Sequence, residues 1–385
     1  METSVLEERR RFVRDYARGA WTMRALCARY GITPPCGYKW WARFQADGDR
    51  GLAERSRAPR GRPHQTAPAL EALIVAARRE YGWGAKKLQH ILRTRHPAAT
   101  WPARSTFNAV LERYGLLEKR RRRLAWPPTG TVALQSAGPN EVWPADFKGQ
   151  FKTGDGRYCY PLTITDHFSR QVLAVRGLAA ITQADTRAVF RQLFREVGLP
   201  AAIRTDNGAP FASIGLHGLS ALNIWWMQLG VVHQRIRRGR PQENGTHERM
   251  HRELKRETAR PPAADRRAQQ ARFDRFRRRY NDERPHEALD NATPASRWQP
   301  SARPYSDRVV GPEYPGHWEI RRVSNAGAIR LHRHRIFLSQ ALHHQDIGLE
   351  EIDDGLWQVV YYRTVLGVLD EATGRVTGVG RSESV

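Results

Sequence analysis

Three carboxylates stand in sequence settings where they could work together: Asp146 in WPADFKG, Asp206 in IRTDNG and Glu248 in RPQENGTHERMHRELKRE. Breaking a phosphodiester with two metal ions requires hard oxygen ligands that hold the ions about 3.5–4 Å apart. One ion then activates the attacking oxygen and the other stabilises the leaving one, so the set predicts two Mg2+ (or Mn2+) ions on Asp146, Asp206 and Glu248. Asp146 lies in a run of apolar and aromatic residues that reads as a buried strand. Asp206 ends a later strand, where Asn207-Gly208 supplies a tight exit. Neighbouring strand ends would present the two carboxylates side by side. Glu248 opens an amphipathic helix, and at about 100° per residue Asn244, Glu248, Arg252 and Lys255 share one arc. A ligand followed by two cations would hold nucleic-acid phosphates against the metals. Asn207, beside Asp206, and His251, near Glu248 on its helix, are supporting candidates, although a histidine in so charged a run is expected at the surface.

Each acid alone has a plainer reading. Asp146 could cap a turn, Asp206 could be an ordinary turn aspartate, and Glu248 could be a solvated residue paired with Arg252. Their order and contexts favour a shared site. Asp166, in TDHFSR, reads as a turn residue after the second strand. His247-Glu248-Arg249-Met250-His251 also spells H-E-x-x-H, the helical zinc motif of metalloproteases. Such helices pack in an apolar core and need a further ligand, whereas this one continues as RELKRE. The zinc reading would also leave Asp146 and Asp206 without a role.

The elements that must position these residues form several modules, since 385 residues exceed one ordinary core. Residues 1–57 read as a helix-turn-helix domain: three helices over 5–46, with Gly31 at the turn and Thr33-Pro34 starting the last. Cys27 is the small residue at the helix crossing, and Leu26, Tyr30, Ile32 and Trp40 are the expected core. Lys39 and Arg43 are candidate DNA contacts on the last helix, in which Gly37 is out of place, costing roughly 1 kcal/mol relative to alanine. Residues 64–118 hold a second helix-turn-helix-like domain, with Leu70, Leu73, Ile74 and Ala77 at helical spacing. A basic linker, 119–138, follows, in which Lys119, Arg120 and Arg121 would touch phosphates. Residues 139–300 run strand, strand, strand, helix, strand, helix, the order of a ribonuclease-H-like α/β core. Within it, Trp225 and Trp226 are expected in the core, and Arg272, Arg275 and Arg279 form a basic stripe. Residues 301–385 return to strands and suggest a small SH3-like β-barrel.

Sixty-four Lys plus Arg against 39 Asp plus Glu leave a net charge of +25, mostly through arginine, whose planar fork pairs with phosphate. A polyanionic partner is expected, although a ribosomal-type protein or a GC-rich genome would leave a similar excess. The three cysteines, Cys27, Cys36 and Cys159, show neither zinc-site spacing nor an even disulfide framework. With no signal-peptide core and no run of about 18 apolar residues, a cytoplasmic protein with no membrane partner is expected.

Taken together, these motifs resemble the integrase catalytic core shared by retroviral integrases and bacterial insertion-sequence transposases, above all the 481 family of bacterial insertion sequences. The likeness rests on WPADFKG (143–149), DHFSR (166–170), TDNGAPFAS (205–213), LSALNIWWMQLG (219–230), RPQENGTHERMHRELKRE (240–257) and YNDERPHEAL (280–289). With the N-terminal helices it covers most of the chain. The resemblance implies a DDE transposase with Asp146, Asp206 and Glu248 catalytic, performing metal-dependent cleavage at transposon ends and strand transfer into target DNA. It further implies terminal repeats and target DNA as partners, a homo-oligomer on paired DNA ends, and a place at the bacterial nucleoid. A transposon-derived, sequence-specific regulator without catalysis would keep every basic feature. The chain departs from the retroviral pattern in its spacing: 206 − 146 is 60, but 248 − 206 is 42, with an extra helix around 221–230 as the place for the excess. No His2Cys2 module precedes the core, and Arg238 replaces the proline expected before Gly239.

Overall fold

A computed structural model describes residues 4–55, 66–117, 136–212, 219–236 and 245–377, apart from the side chain of Thr246. Lys119, Arg120 and Arg121, most of the 119–138 linker, and Arg238, Gly239 and Asn244 lie outside the described residues. The chain divides into two compact units, Met1–Ala67 and Pro68–Val385. Among the described residues no helix is long and apolar enough to cross a membrane.

The first unit holds α1 (Val5–Ala17), α2 (Met23–Arg29) and α3 (Pro34–Asp47), the first two capped by the Ser4 and Thr22 side chains. Phe12, Val13, Met23, Leu26, Trp40 and Leu52 form its core, with Tyr30 and Ile32 packed at the edge. Gly31 makes the turn at φ +65°. Gly37 turns out to be the close point of the bundle rather than a defect in α3. A Cβ there would lie 2.5 Å from Cys27 Sγ, 2.8 Å from Met23 Sδ and 2.9 Å from Phe12 Cζ. The local helix cost therefore accompanies a three-helix approach in which even a methyl group would have to displace the Cys27, Met23 and Phe12 side chains.

In the second unit, α4 (Pro68–Tyr81), α5 (Ala85–Arg95) and α6 (Arg104–Arg113) surround a core of Ile74, Tyr81, Trp83, Leu88, Phe107 and Val110. These helices join the rest of the unit through polar contacts: Tyr81 donates to Glu283 at 3.0 Å, Arg95 pairs with the same carboxylate at 3.0 Å, and Arg279 donates to the Glu80 carbonyl at 2.7 Å.

The central sheet follows the expected order with two additions. β1 (Val142–Phe147) gives way at 148–150, after which β2 (Phe151–Lys152) takes up the pairing with β3 (Tyr158–Thr165). β4 (Val172–Leu178) lies on β3, and α7 (Gln183–Val197) leads to β5 (Ala202–Thr205), α8 (Ala221–Gln228) and the unforeseen β6 (Val232–Arg235). β1 is antiparallel to β3 but parallel to β5, which is parallel to β6. One face carries α7 and α8, the latter through Trp226, over Trp143, Leu162, Ile164 and Ile203. The other carries α9 (Gly245–Thr258) and α10 (Arg266–Arg278), whose Met250, Leu254, Phe273 and Phe276 pack on Cys159, Val172 and Val175. This is the three-layer arrangement of a ribonuclease-H-like domain.

α8 is apolar on every face apart from Asn223 and Gln228 because its residues 222–227 are all buried. Leu222, Trp225 and Trp226 enter the central core, while Ile224 and Met227, with Leu219 just before the helix, enter the C-terminal one. Contacts of the central domain also run past residue 300, since Tyr305 packs on its core and Leu199 N–H donates to the Arg303 carbonyl at 2.8 Å.

The C-terminal strands leave the expected barrel unclosed among the described residues. β7 (Glu319–Arg322), β10 (Asp346–Asp353), β11 (Leu356–Tyr361), β12 (Thr364–Asp370) and β13 (Arg375–Thr377) make an open antiparallel sheet in the order β13-β12-β11-β10-β7. β8 (Ala328–Leu331) and β9 (His334–Phe337) pair separately. Among the described residues the hydrogen-bonded path has two ends and does not close. The runs AIRLHRHRIFLS and LWQVVYYRTVLGVLD each fold as a hairpin, turning at His332-Arg333 and Tyr362-Arg363, with His332 and Tyr362 at φ +49° and +53°.

Replacing Gly37 with alanine should destabilise the first unit by about 1–3 kcal/mol through overpacking. Hydrogen exchange of the α1–α3 amides in the full chain checks this, and unchanged protection would contradict it.

Candidate active site

β1 and β5 pair with Val142 beside Ala202, Trp143 beside Ile203 and Pro144 beside Arg204. The offset is 60 at every pair, the same as 206 − 146, so the two aspartates fall at matched heights on strands that lie about 4.8 Å apart. Trp143 and Ala145 enter the core beneath α7 and α8. The pleat therefore turns Asp146 to the α9 face. Asp206 lies one residue past β5, exposed, its Oδ1 accepting from Gly208 N–H at 3.2 Å. Asn207 ties this exit to the end of β6, its Nδ2 donating to the Ile236 carbonyl at 2.9 Å.

The Asp146 side chain is 23% exposed. Burial raises its pKa to about 7, with the charge of Asp206 and then of Glu248 adding to the rise, against lowering by the Phe147 N–H and Lys148. Three carboxylates thus repel one another in a partly dehydrated place, which is the electrostatic setting a divalent cation relieves.

Glu248, exposed near the start of α9, lines a cavity of ≈ 730 Å³ together with Asp146, Lys148, His251, Arg252 and Lys255. Arg256 and Arg260 extend its basic rim. The helical spacing that grouped Glu248 with Arg252 and Lys255 thus corresponds to one face of the cavity wall. Lys148, Arg256 and Arg260 were not singled out from the sequence. Lys148 follows Asp146 by two residues, the spacing of one strand face, and that was the available signal.

His251 is buried, contrary to the surface position expected from its charged neighbours, and so is His247. Both rings reach Thr163, which sits opposite Asp146 on β3. Thr163 Oγ1 is 2.7 Å from His247 Nε2 and 2.6 Å from His251 Nε2, and it donates to the Asp146 carbonyl at 3.0 Å. His247 Nδ1 meets Thr165 Oγ1 at 3.1 Å. Burial lowers the His247 and His251 pKa values to about 3 and 2, so both rings are neutral. The H-E-x-x-H motif therefore has His247 bonded at both nitrogens to threonines of β3. Leu162 and Ile164 alternate with Thr163 and Thr165, so one strand serves the apolar core on one side and the helix histidines on the other.

Asp166 is a turn residue, buried, with Oδ1 accepting from Asn140 N–H at 2.7 Å and Oδ2 from the Ser169 N–H and hydroxyl at 2.8 and 2.6 Å. Arg272, Arg275 and Arg279 line a second cavity of ≈ 450 Å³ with Arg79 and Arg256. In the first unit, Lys39 and Arg43 stand one turn apart on α3, with their charges 4.5 and 5.0 Å from the Trp40 ring centroid.

The mixed sheet thus brings two in-register aspartates and the glutamate of α9 into one electrostatic environment beneath a basic rim. Residues 136–241 and 229–294 match models of the integrase core domain, residues 8–60 a helix-turn-helix domain, and residues 36–111 a homeodomain-like domain. The chain therefore carries an integrase core together with helix-turn-helix domains. It is 28% identical over 253 residues to the insertion element IS476 uncharacterized 39.2 kDa protein of Xanthomonas euvesicatoria, covering 60% of this chain and 65% of that one. It is 30% identical over 189 residues to the insertion element IS407 uncharacterized 31.7 kDa protein of Burkholderia multivorans, covering 47% of this chain and 64% of that one. The chain thus spans just under two thirds of the length of each of these relatives. A solved structure of the HTLV-2 integrase catalytic core domain is 18% identical and covers 42% of this chain and 99% of that one, at a TM-score of 0.33.

The raised Asp146 pKa makes a stability prediction for the metal-free protein. Its folded value lies above the ordinary carboxylate value, so its contribution is complete below about pH 4 and is lost as pH rises through about 7. Asp146→Asn should therefore gain stability over wild type with rising pH, by about 1–3 kcal/mol at pH 8, and little at pH 4. Denaturant unfolding at the two pH values checks this, and a gain independent of pH would contradict it.

Proposed function

We propose that this chain is a DNA transposase that cleaves transposon ends and joins them to target DNA. The observation that carries the reading is that Asp146, in register with Asp206 through the β1–β5 pairing and within reach of its charge, shares with Glu248 a cavity rimmed by Lys148, Arg252, Lys255, Arg256 and Arg260. The donor set fits divalent cations, because it offers hard oxygens, and burial together with the charges of Asp206 and Glu248 already raises the Asp146 pKa. Asp146, Asp206 and Glu248 would hold two Mg2+ or Mn2+ ions. When bound, such ions supply an activated attacking oxygen and neutralise charge on the phosphoryl group.

The protein's own contribution is position. Arg252 and Lys255, one and two turns beyond Glu248, hold backbone phosphates on the acid-bearing side of α9. Lys148 places a further cation beside Asp146. Asn207 fixes the loop that carries Asp206, and Thr163 fixes the height of α9 through its two histidines. The same arrangement serves two in-line displacements, water attacking first and the freed 3′ hydroxyl second, and neither requires a covalent enzyme intermediate.

Lys39 and Arg43 would contact the terminal repeats, with Lys119, Arg120 and Arg121 following the backbone. The motifs quoted above support membership of the 481 family, whereas the relatives come from IS476 and IS407 elements. We read the C-terminal sheets as an incompletely closed SH3-like barrel, the working form as a homo-oligomer on paired DNA ends, and the setting as the bacterial cytoplasm and nucleoid.

Labelled element-end DNA incubated with protein and Mg2+ or Mn2+ tests the reading. Asp146→Asn, Asp206→Asn and Glu248→Gln should each reduce nicking and joining by ~10²–10³-fold or more while retaining DNA binding. Equal nicking by all four proteins would overturn the catalytic assignment. Tight binding without nicking by wild type would instead indicate a DNA-binding regulator.

A further inference from the structure

We propose that His251 Nδ1 is a metal ligand beside Asp146, giving the site one nitrogen donor and a preference for Mn2+ or Co2+ over Mg2+. The inference rests on the metal-dependent reading above and adds a residue to it.

Thr163 Oγ1 has a single proton and three neighbours: the Asp146 carbonyl at 3.0 Å, His247 Nε2 at 2.7 Å and His251 Nε2 at 2.6 Å. A carbonyl only accepts, so the Thr163 proton goes to it, and both imidazoles must donate from Nε2. Neutral rings that carry their proton on Nε2 expose a lone pair at Nδ1. For His247 that lone pair accepts from the Thr165 hydroxyl at 3.1 Å. For His251 no hydrogen bond to Nδ1 exists among the described residues, and the atom faces Asp146 Oδ2 at 3.8 Å. A lone pair set against a carboxylate at that distance is an arrangement that one bridging cation would satisfy.

Two further observations place the bridge there. His251 lines the cavity that holds Asp146 and Glu248, and His247 does not. Asp146, His247 and His251 also bring one ligand atom each within 4.8 Å of one another. Because His247 is bonded to threonine at both nitrogens, the available pair is Asp146 with His251. Mg2+ keeps to oxygen ligands, whereas an imidazole nitrogen suits later first-row ions. Thr163 holds the ring in its donor tautomer, the outer-partner role that commonly orients a metal-binding histidine.

Pulsed electron paramagnetic resonance of Mn2+ bound to the full chain, with and without 15N-histidine labelling, tests the proposal. The wild type should show histidine nitrogen coupling that His251→Asn abolishes and His247→Asn retains. Isothermal titration should show Mn2+ affinity falling by ~10-fold or more in His251→Asn, with a smaller change for Mg2+. Absence of nitrogen coupling in wild type, or its persistence in His251→Asn, would overturn the proposal even if Asp146→Asn abolishes Mn2+ binding and so upholds the metal site. Mn2+ binding unchanged by Asp146→Asn would remove the metal reading itself and this inference with it.

Discussion

Parallel pairing of β1 with β5 at a constant offset of 60 residues brings Asp146 and Asp206 to one height at one end of the sheet. Everything else in the site is arranged around that register. A shift by a single residue would turn Asp146 into the space filled by Trp143 and Ala145. The tryptophan and alanine, together with Ile203 on β5, thus specify the position of the acids by filling the opposite face. The repulsion that results between the acids is intrinsic to the geometry.

α9 is the second half of the arrangement, and it presents different chemistry on each of its faces. Met250 and Leu254 seat it on the sheet, His247 and His251 bond to Thr163, and Glu248, Arg252 and Lys255 line the cavity. A further face carries Glu253 and Glu257, which meet buried Arg284 at 3.2 and 3.8 Å. Arg284 lies 5.9 Å from the Trp83 ring, so the helix bearing Glu248 is tied on its outer side to the α4–α6 helices. α8 performs a comparable joining of the central core to the C-terminal sheet, through apolar contacts and through Gln228, whose Nε2 donates to Gln345 Oε1 and the Tyr361 hydroxyl at 3.0 Å each.

Much of this was legible in the sequence because it depends on periodicity and on local turn chemistry. The helices of both N-terminal bundles, the meander and the amphipathic α9 follow from spacing, and the register of the aspartates was already present as the number 60. What escaped depends on contacts between distant segments. The value of Gly37 appears only when Cys27, Met23 and Phe12 converge on it. The burial of His251 depends on Thr163, 88 residues away in sequence. The two C-terminal hairpins were hidden because His332-Arg333 and Tyr362-Arg363 turn with positive φ at residues that give no glycine or asparagine signal. β6 was missed because four residues beside an apolar helix carry too little pattern.

The central claim is that the β1–β5 register creates a metal site at Asp146 and Asp206. Anomalous diffraction from crystals of the protein soaked in Mn2+ measures it directly. The account predicts a peak bounded by the carboxylates of Asp146 and Asp206, with Glu248 on its far side. A peak held by His247 and His251 away from Asp206, as the zinc-protease pattern would place it, would contradict the account.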